Sequence, residues 1–217
     1  MLKHLILLFV FFSSMSALNY DEAFGKLMNN VKNKMETFRA DVTQEVKISD
    51  MSESRILTGT VAIKKPDKLL LIYTVPVKQN IISNGKTIWI YFKEQNQVIV
   101  QDVSEIKGKD NNIFQLQKYL EYLKSKYIGS LKEEKKYEGI EAVLLEFVPK
   151  GEVEDLSRIT LWVDKKKWLP IASTVHIGEG NSITVKFSNI KTNETLDDSL
   201  FDFKIPEGTE KITSLLQ

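Results

Sequence analysis

From Phe38 onward the apolar residues change their spacing from every third or fourth position to every second. Side chains on a strand alternate between two faces, so a sustained period of two confines the fold to one built on a sheet. Leu57, Gly59, Val61 and Ile63 alternate with Thr58, Thr60 and Ala62 until Pro66 ends the run. Leu69 to Val75 is apolar on both faces, which predicts a strand covered on both sides. Gln79 to Ser83 and Thr87 to Phe92 flank Asn84-Gly85, a strong hairpin signal. Gln97 to Val103, Ala142 to Val148, Arg158 to Asp164, Ile171 to Ile177 and Ser182 to Asn189 follow as strands, the last two joined by the turn Gly178-Glu179-Gly180-Asn181. Phe201 to Ile205 predicts a short final strand, ended by Pro206 and Gly208. Sequential hairpins make an antiparallel sheet, and one of about ten to eleven strands curls or closes.

Two helical patterns interrupt the strands. Asn19 can cap the first, with Glu22 at the capping-box spacing. Phe24, Leu27, Met28, Val31 and Met35 then share a face. The second begins after Asn111-Asn112, with Ile113, Leu116, Leu120, Leu123 and Tyr127 on one side. Both apolar faces need a cover, and the concave side of a curled sheet can supply it. That side is either an ordinary packed core or a hollow closed by the helices; composition does not separate the two.

The start of the chain has its own logic. Met1-Leu2-Lys3-His4 precedes an apolar run from Leu5 to Phe12, then Ser13, Ser14, Ser16 and Ala17. A basic start, a short apolar run and small residues at the exit describe a secretory signal peptide. The run is far shorter than the ~20 residues of a transmembrane helix. Residues 1–17 are therefore read as the signal and 18–217 as one exported domain. There is no cysteine, so the chain has neither disulfides nor an attachment point for lipid of its own. Losing Lys3 reduces 30 basic residues to 29, against 29 acidic. A balance of zero argues against nucleic acid as a partner, since phosphates call for a basic excess.

No residue set points to chemistry. Beyond the leader, His176 is the only histidine. It sits in a predicted strand with Ser173 three residues away, which gives no nucleophile elbow, and one histidine without cysteine makes no zinc site. Gly85-Lys86-Thr87 resembles the end of a phosphate loop, but Asn80 stands where that loop needs glycine, and a strand follows. Asn193-Glu194-Thr195 fits a glycosylation sequon and reads as a polar loop. Glu152, Glu154, Asp155, Asp197 and Asp198 read as solvated loop charges rather than a paired-carboxylate site. No metal or other cofactor is expected.

Four ordered blocks carry a family resemblance: Phe38-Arg39-Ala40-Asp41-Val42-Thr43-Gln44; Gly59 followed by Ile63-Lys64-Lys65-Pro66; Pro76 with Asn84-Gly85-Lys86-Thr87-Ile88-Trp89-Ile90-Tyr91; and Phe201-Asp202-Phe203-Lys204-Ile205-Pro206-Glu207-Gly208. In order and spacing they resemble the periplasmic outer-membrane lipoprotein carrier family (LolA), over most of the chain. The resemblance implies a mainly β fold, an incomplete antiparallel barrel with a helical lid over an apolar cavity. It implies a monomeric periplasmic chaperone rather than an enzyme. Such a protein takes the acyl chains of lipoproteins from an inner-membrane ABC-type release complex and delivers them to an outer-membrane receptor lipoprotein. A lipid-binding or lipoprotein-sensing module on the same scaffold is the alternative. Within that frame, alternation assigns Leu69, Leu71, Ile81, Trp89 and Tyr91 to the acyl-chain lining and Ile113, Leu116 and Leu120 to the underside of the lid. The family carries arginine before the strand-ending proline. Here Lys65 takes that latch position without the rigid fork of a guanidinium.

Overall fold

The computed structural model describes residues 18–51, 53–105, 116–151 and 156–213. The signal segment and Ile113 therefore lie outside the described residues, as do Glu152, Glu154 and Asp155. Helix α1 spans Tyr20–Asn33, and the Glu22 N–H donates to Asn19 Oδ1 at 3.0 Å, so the asparagine caps it as its position predicts. The Glu22 side chain turns along the helix instead and pairs with Lys26 at 2.6 Å. Ala23, Phe24, Leu27 and Val31 are buried on one face of α1.

Strands β1 (Thr37–Lys47), β2 (Arg55–Lys64), β3 (Lys68–Val75), β4 (Gln79–Ser83), β5 (Thr87–Phe92) and β6 (Gln97–Asp102) form an antiparallel meander. Asn84 Oδ1 accepts from the N–H groups of Lys86 and Thr87, and Gly85 sits at φ +91°, so the tight turn needs this pair of residues. Helix α2 (Leu116–Lys126) follows, then β7 (Tyr127–Tyr137), β8 (Ile140–Pro149), β9 (Leu156–Asp164), β10 (Pro170–Ile177) and β11 (Asn181–Thr192). Strand β11 pairs with β1, which joins the two halves into one sheet. Among the described residues the sheet has twelve strands, with β7 at one edge and β12 (Glu210–Thr213) at the other, and does not close into a barrel.

Two elements differ from the sequence reading. Tyr127 opens a strand rather than ending the helix; β7 reads Ile128-Gly129-Ser130-Leu131-Lys132-Glu133-Glu134-Lys135-Lys136 and hides its alternation in charge. That composition suits an edge strand, where lysines discourage pairing with another sheet. Phe201 to Ile205 is not a strand either. Asp198–Phe201 forms a 3-10 turn capped by Asp197, and the chain then runs irregularly to β12, which pairs parallel to β6.

The concave face of the sheet holds both helices. Phe38, Val61, Leu69, Val143, Leu145 and Leu161 meet Phe24, Leu27 and Val31 of α1 and Leu120 and Leu123 of α2 in one apolar cluster. Burying each such side chain stabilises the fold by about 1.5–3 kcal/mol. The convex face is mostly solvated, except beneath residues 196–205. There Leu196, Phe201, Phe203 and Ile205 cover Ala62, Leu70, Ile82, Trp89, Tyr91 and Val98. This accounts for the two-faced apolarity of β3: Leu69 and Leu71 face the helices, and Leu70 faces the C-terminal segment.

Candidate functional site

The helices are held unequally. At the end of α1, Lys65 Nζ donates to the Lys32 carbonyl at 2.8 Å and Asn193 Nδ2 to the Lys34 carbonyl at 2.9 Å. Asn193 Oδ1 accepts from the Glu36 N–H at 2.8 Å, and Asn30 Nδ2 donates to the Trp168 carbonyl at 3.3 Å. At the start of α1, Tyr20 stacks on Phe24 at 5.5 Å, and Phe147 meets both rings edge-on. Burial, then the neighbouring Asp21, pushes the Tyr20 hydroxyl up to about 12. So α1 is fixed along its length. Helix α2 is tied at its C-terminus, where the Lys150 N–H and Nζ donate to the carbonyls of Lys126 and Ser125 at 3.0 and 2.8 Å. Leu120 and Leu123 of α2 are fully buried. Tyr119 is packed toward Ser173 of β10, and burial pushes its hydroxyl up to about 12.

A pocket of about 230 Å³ opens at the first turn of α2. Leu116, Gln117 and Lys118 form one wall; Met35, Ile63, Lys65 and Pro66 form the other. It lies between the start of α2 and the ends of α1 and β2. Ligand pockets of proteins typically measure about 300–1,000 Å³, so with α2 seated the mouth admits little.

The structure divides the candidate lining residues. Leu69, Leu71 and Ile81 pack with the helices on the concave side, as do Leu116 and Leu120. Trp89 and Tyr91 lie on the convex side, which corrects their assignment: Ile82 and Trp89 are opposite each other in the β4–β5 ladder, and both rings pack on Phe203, at 6.5 and 5.2 Å between centroids. The concave positions of β5 are Ile88 and Ile90, paired with Ser83 and Ile81. Alternation separates the two sets but says nothing of which is inside. The Ile81-to-Ile90 pairing could have linked them to Leu71 once the hairpin register was set. Lys65 makes its bond to α1 rather than to α2, while α2 forms the facing wall of the mouth pocket.

The residues tested for chemistry are scattered. Ser173 and His176 stand three apart on β10 and so point to opposite faces. Burial, then Arg158, holds the His176 imidazole below its ordinary value. Asp198 bonds to Lys64 and Lys68 at 2.7 and 2.9 Å, which fastens the C-terminal segment to β2 and β3. Among the described residues no cluster of histidine and carboxylates could hold a metal ion, and no helix is long and apolar enough to cross a membrane.

The family model described as outer membrane lipoprotein carrier protein LolA matches residues 33–204. An outer-membrane lipoprotein carrier protein of Francisella tularensis is 25% identical over 222 residues, covering 97% of each chain. An uncharacterized protein of Methanocaldococcus jannaschii is 29% identical over 208 residues; the match takes in 94% of this chain and 57% of that relative's length. Among solved structures, an uncharacterized conserved protein of Thermus thermophilus superposes with a TM-score of 0.59 at 12% identity, covering 89% of this chain and 98% of the other. A chain of the Pseudomonas aeruginosa MucA/MucB complex superposes at 0.54 with 14% identity, covering 85% of this chain and 60% of the other. Both superpositions show a shared fold.

Proposed function

Because this chain belongs to the LolA family of outer membrane lipoprotein carrier proteins, we propose that it binds the acyl chains of lipoproteins and carries them across the periplasm. The observation that carries the reading is the apolar concave face lying under α2. Residues 1–17 serve as the export signal, and 18–217 act as one carrier domain. Acyl chains gain about 0.8 kcal/mol per CH₂ on burial, so two or three of them cost tens of kcal/mol when bare in water. A lipoprotein therefore crosses an aqueous gap only in a sheltered form. Shelter needs an apolar wall, here Leu69, Leu71 and Ile81, and a movable cover, here α2 with Leu116 and Leu120. Lys65 holds the mouth's fixed side against α1.

No covalent step is required, and the separation of Ser173 from His176 suits a binding protein rather than a hydrolase. Displacing α2 costs the burial of Leu120 and Leu123, and the incoming acyl chains offset it. The remaining drive comes from an ABC-type release complex in the inner membrane, and an outer-membrane receptor lipoprotein takes the cargo on. The carrier works as a monomer. Membranes holding a lipoprotein and the release complex, mixed with the mature protein, should yield a soluble one-to-one complex with the lipoprotein. If the lipoprotein stays in the membrane fraction, the proposal fails. A soluble complex with lipid but no protein would favour a lipid-binding or sensing module instead.

A further inference from the structure

On β3 the concave leucines give way to a tyrosine. Leu69 and Leu71 are followed on the same face by Tyr73, which lies opposite Gly59 of β2. A side chain at Gly59 would overlap the Ile72 carbonyl, so only glycine lets β2 and β3 approach so closely here. Across β2, on β1, Gln44 belongs to the same face, one alternation beyond Val42, the β1 partner of Gly59. The Tyr73 hydroxyl donates to Gln44 Oε1 at 2.6 Å. The two side chains thus form a bar lying over β2, with the bare backbone of Gly59 beneath it. Tyr73 is buried, and burial raises its hydroxyl above the ordinary tyrosine value. Tyr73 stands about 13 Å along the strand from Leu69, which lies near the mouth row of Ile63.

We propose that the Tyr73–Gln44 bar is the end stop of the hollow and sets the length of acyl chain that the protein holds best. The proposal rests on the carrier reading. A chain entering past Leu116 and Ile63 runs along Leu69 and Leu71 and meets a polar bar whose hydroxyl and amide are already paired. Methylenes laid before the bar are buried; those beyond it must break the hydrogen bond or fold back.

The test is binding of a series of saturated monoacyl lipids, each one methylene longer than the last, by displacement of a bound fluorescent fatty acid. For the wild type, affinity should rise about fourfold per methylene and then stop rising at one length. Tyr73→Ala and Gln44→Ala, which shorten the bar from opposite ends, should each move that break to longer chains. A break at the wild-type length in either variant, in protein that melts cooperatively, overturns the end stop; two separate truncations keep the test available if one variant does not fold. Binding by the wild type with no break at any length also overturns it and leaves the carrier reading standing. If the wild type binds no member of the series, the carrier reading itself fails.

Discussion

Leu70 and Leu71 are neighbours on β3, both half-buried, and they face opposite ways: Leu71 toward the helices, Leu70 toward the C-terminal segment. Changing each in turn to asparagine separates the two faces with one chemistry. Either variant loses up to about 1.5–3 kcal/mol of leucine burial. Each also places an amide without a partner among apolar groups, at about 1–3 kcal/mol. The two proteins should therefore lose comparable stability in urea unfolding, within a factor of two in free energy. Lipid affinity should part them. On the carrier reading an acyl chain lies against residue 71, so Leu71→Asn leaves the amide desolvated against a chain that cannot bond to it. About 1–3 kcal/mol of binding is lost, or about 5- to 150-fold in Kd. Leu70→Asn, beneath Phe201 and Phe203, should bind within twofold of the wild type. The assay is fluorescence titration of a labelled lipid well below both melting temperatures. Equal losses in the two variants, or a larger loss for Leu70→Asn, would refute the placement of the acyl site on the concave face.

Three other outcomes follow from particular contacts. Lys65→Ala frees the Lys32 carbonyl at about 0.5–1.5 kcal/mol, so amide exchange in the last turn of α1 should quicken, and Lys65→Arg should restore it. The Asp198 carboxyl is held below the usual carboxylate range, first by Lys64 and then by Lys68. A group depressed in the folded state adds stability that is present above its unfolded pKa, about 3.9, and disappears as pH falls through the lower folded value. Acid should therefore loosen the segment over Trp89, read as a change in tryptophan fluorescence, and Asp198→Asn should remove that part of the acid response. His176→Ala, on the outer face, should leave lipid binding and cargo release unchanged; loss of release in a folded variant would reopen a histidine-based mechanism.

Much of the fold is legible in the chain because its cues are local. Asn19 caps a helix, Asn84-Gly85 makes a turn, and the two-faced apolarity of Leu69 to Val75 announces a strand covered twice; each depends on residues within a few positions of one another. The edge strand β7 is not legible in the same way. Its alternation carries lysine and glutamate where a central strand would carry valine, and being an edge is a property of the sheet. The segment from Phe201 to Ile205 looks like a strand because its apolar residues alternate, yet they alternate in order to cover Trp89 and Tyr91.

Candidate site residues divide along the same line. The sequence by itself sets the two faces apart, placing Leu69 with Leu71 and Trp89 with Tyr91, because a strand has period two whatever surrounds it. Which face meets the helices is decided only when β11 pairs with β1, the helices take the concave side and the C-terminal segment takes the convex one. The β1–β11 pairing and the packing of Phe203 on Trp89 join residues more than a hundred positions apart, and an apolar side chain does not record which of two apolar covers it will meet.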